Sequence, residues 1–120
     1  MSRPDIMLII LFGSVVGGTA HRDSDIDLGF LATNPFDPIT MTNEVAGYLG
    51  TSRIDVVDLR RASPLLAMEA LRNGQLLYES HPGEYATFYS LALRRYVDTA
   101  KLRAAQQQAI GNFLAARGMA

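Results

Sequence analysis

Gly13-Ser14, followed by ten residues and then Asp25-Ile26-Asp27, constrains this chain more than any other feature. The pair sits where an apolar run, Ile6 to Phe12, gives way to small residues, and the aspartates open a second apolar run, Ile26 to Ala32. On a strand, side chains at i and i+2 lie on one face about 6–7 Å apart. Asp25 and Asp27 can then both reach one divalent cation placed between them. A strand ending in a Gly-Ser turn offers backbone N–H groups and a hydroxyl to an anion. Gly13 and Ser14 are therefore candidate phosphate-binding residues, and the two aspartates candidate metal ligands. Side by side, they point to chemistry on a nucleoside triphosphate.

The rest of the chain alternates strand and helix. A third strand is expected over Arg53–Leu59, and helices over Thr40–Leu49, closed by Gly50, and from Ser63-Pro64 through Arg72, ended by Asn73-Gly74. Gln75–Glu79 reads as a short extended piece. From Gly83 onward the pattern is helical, with Tyr85, Tyr89, Ala92 and Tyr96 on one face. The expected class is α/β (α+β): a compact mixed β-sheet with flanking helices and a helical C-terminal tail, one domain over residues 1–120. The absence of cysteine excludes disulfides, thiolate catalysis and cysteine-ligated zinc. A net charge of −1 without any run of Lys or Arg argues against wrapping nucleic acid by charge. The first apolar run is too short to span a bilayer, so no membrane role and a cytoplasmic setting are expected.

Asp55 interrupts the third apolar strand, where a buried charge without compensation would be costly. A cation shared by Asp25, Asp27 and Asp55 would offset that cost. Two Mg²⁺ ions about 3.5–4 Å apart could clamp the attacking and leaving oxygens of an in-line displacement. Asp55 would also help to deprotonate the acceptor hydroxyl. Arg22 and Ser24, between the turn and the carboxylates, are further nucleotide-binding candidates. Asp58 falls on the opposite strand face and reads as a solvent or capping residue. Competing motifs fail on particular residues. Asp23-x-Asp25-x-Asp27 begins like a calcium loop, but Leu28 takes the glycine position and Asn34 that of the bidentate Glu. Gly13-x4-Gly18 begins like a P-loop but continues Thr19-Ala20 instead of Lys-Ser/Thr. No G-x-G-x-x-G follows any strand.

The stretch from Gly13 to Leu28 resembles the signature of the DNA polymerase β-like nucleotidyltransferase superfamily: Gly-Ser, a ten-residue gap, then Asp-x-Asp. The short chain is similar to the minimal nucleotidyltransferases. Ile54-Asp55-Val56-Val57-Asp58-Leu59 and the segment from Ala70 to Glu79 are similar to the antitoxin branch, encoded beside HEPN-domain ribonuclease toxins. The resemblance implies a Mg²⁺-dependent protein adenylyltransferase that moves AMP from ATP to a tyrosine of its partner toxin and releases pyrophosphate. It also implies a hetero-oligomer with that toxin. Many relatives carry an arginine in the loop after Gly-Ser; here Gly17-Gly18 stands instead, and Arg22 is the candidate substitute.

Two alternatives stay open on the sequence. One is an antitoxin that only binds and masks its toxin; the other is nucleotidyl transfer to a small molecule. Tyr85, Phe88, Tyr89 and Tyr96 are expected mostly in the core. Ile110, Phe113 and Leu114 are expected at a partner contact or on a second copy.

Overall fold

The described residues of the computed structural model are 5–13 and 26–119. They form β1 (Ile6–Phe12), β2 (Ile26–Ala32), α1 (Pro38–Leu49), β3 (Ile54–Asp58), α2 (Pro64–Asn73), β4 (Gln75–Glu79), α3 (Glu84–Asp98) and α4 (Ala100–Ala116). The sheet order is β3-β2-β1-β4. β1 runs antiparallel to both β2 and β4, whereas β2 and β3 are parallel, so the sheet is mixed as the sequence implied.

Period-two alternation divides the apolar side chains between two faces. Leu8, Ile10 and Phe12 of β1 and Leu31 of β2 face α2 and α3, where Met68, Leu71 and Phe88 complete the main core. Leu28, Phe30, Ile54 and Val56 turn to the other face, beneath Phe36 and the Met41 and Val45 side chains of α1. The aromatic stripe is largely core: Phe88 is buried, and Tyr85, Tyr89 and Tyr96 pack against it half-buried. The Tyr85 hydroxyl donates to the Leu71 carbonyl at 3.1 Å, and burial raises its pKa.

Several boundaries differ from the sequence expectation, each for a local reason. α1 starts two residues early because Asp37 caps it, its carboxylate accepting from the Ile39 N–H at 3.3 Å and the Thr40 hydroxyl at 2.7 Å, with Pro38 in the first turn. β3 is shorter by a residue at each end. α2 opens as expected, with Ser63 accepting from the Leu66 N–H at 3.2 Å. Gly74 ends it in an extended conformation, so its absent side chain answers to space. A Cβ there would press on the Ala70 carbonyl and lie 2.7 Å from Ile10 Cγ2. The C-terminal turn of α2 is thereby seated hard against β1. The expected continuous helical tail is two helices. The Thr99 hydroxyl bonds back to the Arg95 and Tyr96 carbonyls, and the Arg103 guanidinium takes the Tyr96 carbonyl at 2.8 Å while stacking on its ring.

Candidate active site

β2 lies between β1 and β3, so a residue near its start has a neighbour on each side. Phe12 pairs with Asp27 across the antiparallel ladder, and Asp55 pairs with Asp27 across the parallel one. Residues in register share a face on strands about 4.8 Å apart. Counting back from Leu31 and Val57, which pack on the main core, Asp27 and Asp55 both emerge on the α2/α3 side of the sheet.

Gly13 closes the third side. Its φ is +97°, in the region that favours glycine, and a Cβ there would lie 2.5 Å from Asp27 Oδ2. The strand-to-turn glycine and the carboxylate are therefore in direct apposition, across a long gap in sequence. Above them opens a cleft of about 510 Å³ bounded by Phe12, Gly13, Asp27, Glu69 and Asn73. A cleft of similar size at the far end of β1, lined by Asp5, Thr33, Tyr78 and His81 among others, contains none of the expected site residues that are described.

Of the residues singled out from sequence, Gly13, Asp27 and Asp55 converge on one end of the sheet. Ser14, Arg22, Ser24 and Asp25 lie outside the described residues, as does His21. Contrary to the expectation of a buried charge, Asp55 is exposed. β3 is an edge strand, and Asp55 sits near its open end, so desolvation is not what demands a cation there. Asp58, in contrast, is 8% exposed, and its Oδ1 accepts the Arg60 N–H at 3.1 Å. It caps the turn after β3 and does not face solvent. His81 sits on the exposed loop before α3, 3.3 Å from the Glu84 carboxylate.

Glu69 and Asn73 were not anticipated as site residues. Asn73 Nδ2 donates to Glu69 Oε1 at 3.1 Å, one helical turn apart. Ala67, Met68, Ala70 and Leu71 take the buried side of α2 and leave this pair exposed beside the cleft. The i,i+4 spacing was visible in the sequence, but nothing local tied it to β1.

The donor chemistry suits a hard cation. Mg²⁺ prefers carboxylate oxygens, retains several waters and needs open coordination space. Asp27 and Asp55, in register on one face with Asp55 exposed, meet those needs; among the described residues alone no cluster of three or more potential ligands forms.

A mixed four-stranded sheet in the order β3-β2-β1-β4, with α2 and α3 on one face and α1 on the other, is a nucleotidyltransferase-like fold. The chain belongs to the polymerase beta nucleotidyltransferase family, whose pattern matches residues 1–82. It is 41% identical over 78 residues to the protein adenylyltransferase MntA of Shewanella oneidensis, covering 62% of this chain. That match spans only 55% of the relative's length. The MntA of Aphanizomenon flos-aquae is 28% identical over 123 positions, covering 92% of this chain and 82% of its own. Among solved structures, a toxin–antitoxin crystal structure with AMP-PNP superposes with a TM-score of 0.75 at 31% identity, covering 93% of this chain and 89% of that one. A tri-AMPylated Shewanella oneidensis HEPN toxin in complex with its MNT antitoxin gives a TM-score of 0.69 at 27% identity, covering 93% and 86%. No helix among the described residues is long and apolar enough to cross a membrane.

Proposed function

We propose that this chain is an antitoxin-type nucleotidyltransferase that moves AMP from ATP to a tyrosine hydroxyl of a HEPN toxin and thereby neutralises it. The observation that carries this reading is the apposition of Gly13 and Asp27, with Asp55 in register beside them. The similarity to adenylyltransferases and to an AMPylated toxin complex supports the chemistry and the partner.

Gly13 and Ser14 hold the triphosphate through backbone N–H groups and the hydroxyl, with Ser24 and Arg22 adding contacts. Asp25, Asp27 and Asp55 hold the metal, two Mg²⁺ ions in this reading. Bound Mg²⁺ neutralises phosphate charge and lowers the pKa of the attacking hydroxyl. The tyrosine oxygen forms a bond to the α-phosphorus, and the bond from that phosphorus to the bridging oxygen of pyrophosphate breaks. Asp55 takes the hydroxyl proton, and pyrophosphate leaves with the bridging electron pair. Residues 1–120 act as one catalytic unit, in the cytoplasm, within a hetero-oligomer with the toxin.

The test is pyrophosphate release on mixing the protein with ATP, Mg²⁺ and the protein encoded beside it. Release that requires all the components is expected. Neutralisation of the toxin without pyrophosphate would replace transfer by masking, and release with a small-molecule acceptor alone would replace the protein acceptor.

A further inference from the structure

The α2 side of the cleft is polar and without a role in the chemistry above. Glu69 and Asn73 form it, joined by their 3.1 Å hydrogen bond. Gly74, with no space for a Cβ against Ala70, Ile10 and Leu11, fixes that end of α2 over β1. That end of α2 is thus seated on β1 beside Gly13 and Asp27.

We infer that Glu69 and Asn73 form the ribose subsite of this cleft, binding the 2′- and 3′-hydroxyls of the nucleotide. The inference rests on the nucleotidyl-transfer reading and assigns the orientation of the nucleotide within that site. With the phosphates at Gly13 and the α-phosphorus near Asp27, the next group along the molecule is the ribose. Two bodies compete for the α2 side, the sugar and the ring of the acceptor tyrosine. An aromatic ring calls for apolar lining, whereas vicinal hydroxyls call for acceptors and a donor. Glu69 supplies carboxylate oxygens; Asn73 supplies an amide oxygen and a second N–H, since its hydrogen bond to Glu69 uses only one. A carboxylate can accept from both hydroxyls of a vicinal diol, the use made of an acidic residue on ribose in dinucleotide-binding folds. The Glu69 charge also repels phosphate, which disfavours the reversed orientation.

Equilibrium binding of ATP, 2′-deoxy-ATP and 3′-deoxy-ATP, each with Mg²⁺, measured by calorimetry on the parent, Glu69→Gln and Asn73→Ala, tests this. A hydrogen bond to a charged group is worth enough that the parent should bind at least one deoxynucleotide about tenfold or more weakly than ATP. Glu69→Gln should erase most of that preference among the three nucleotides. Glu69 is exposed on a helix, so the substitution should leave the unfolding transition unchanged. Equal binding of the three nucleotides by the parent, or a preference that survives in both variants, overturns the ribose assignment and leaves the transfer reading standing. A parent that binds no ATP in any condition overturns both.

Discussion

The body of the molecule and its last helix are built on opposite terms. In the body, the largest buried side chains sit in one core between the sheet and α2/α3: Leu8, Ile10, Leu59 and Met68 are almost fully enclosed. α4 runs for 17 residues with none of them buried, and Leu102, Ile110 and Phe113 are more than half exposed. The described residues extend 52 × 35 × 31 Å, with a radius of gyration of 17.2 Å; a compact chain of this length would be near 13–14 Å, roughly. Folding alone accounts for the body's buried apolar residues, although Ile39, Tyr48, Leu49 and Leu65 of α1 and α2 are more than half exposed as well. It leaves the apolar face of α4 unexplained, and a toxin surface is what the proposed function would place there.

The largest expected effect belongs to the body's open end. Asp27→Asn should lower AMP transfer by at least about a hundredfold, because a metal ligand contributes several kcal/mol to stabilising the transition-state charge. Thermal unfolding of the variant should match the parent's. Full activity in a radiolabel transfer assay with ordinary Mg²⁺ would remove Asp27 from the metal site.

A matched pair of truncations sharpens the contrast directly. Phe88→Ala should destabilise the protein by about 3–5 kcal/mol, since Phe88 is 6% exposed and central to the core. Phe113→Ala should cost about 0.5 kcal/mol or less, since that ring is 54% exposed and its main partner is the Arg117 guanidinium stacked on it. Denaturant unfolding of both variants settles it; equal losses would mean that α4 belongs to the core. Phe113→Ala should nonetheless weaken capture of the toxin in a binding assay.

Gly13→Val joins strain to collision. At φ +97° the substitution should cost about 1–2 kcal/mol of stability and displace the Asp27 carboxylate, from which a Cβ would be 2.5 Å away. Calorimetry should show weaker ATP binding; unchanged affinity in a folded variant would take the turn out of the site.

The smallest effect is a pH dependence at the start of α3. The Ser80 hydroxyl, then the His81 backbone N–H, hold the Glu84 carboxyl below its usual value of 4.5. A carboxyl depressed in the folded state stabilises it above the unfolded pKa, and that contribution is lost as the pH falls through the folded one. The difference in melting temperature between parent and Glu84→Gln should therefore be present at neutral pH and shrink below pH 4.5. A difference independent of pH would assign it to packing.

Much of this was legible in the sequence because the informative patterns are local. Continuous apolar runs marked β1 and β2, Ser63-Pro64 marked the start of α2, and Gly-Ser before Asp-x-Asp pointed to the candidate site, where Gly13 and Asp27 are the motif residues described. What escaped was set by contacts between distant segments. Asp55 reads as buried in a one-dimensional pattern, and only the sheet order, which makes β3 an edge, exposes it. Asn73-Gly74 reads as a helix stop, whereas the glycine serves close approach to β1 and the asparagine lines the cleft. The break at Thr99 depends on Arg103 reaching back one turn and on hydroxyl bonds that compete with the helix. Helix periodicity alone runs through it.

The central claim is that the carboxylates at the end of β2 and β3 transfer AMP to the toxin. The most direct measurement is the intact mass of toxin purified after co-expression with the parent or with Asp55→Ala. The account predicts an increase of one or more AMP units with the parent and none with the variant, although toxin still copurifies with it. A toxin neutralised by the parent at unchanged mass, or modified equally by Asp55→Ala, would contradict it.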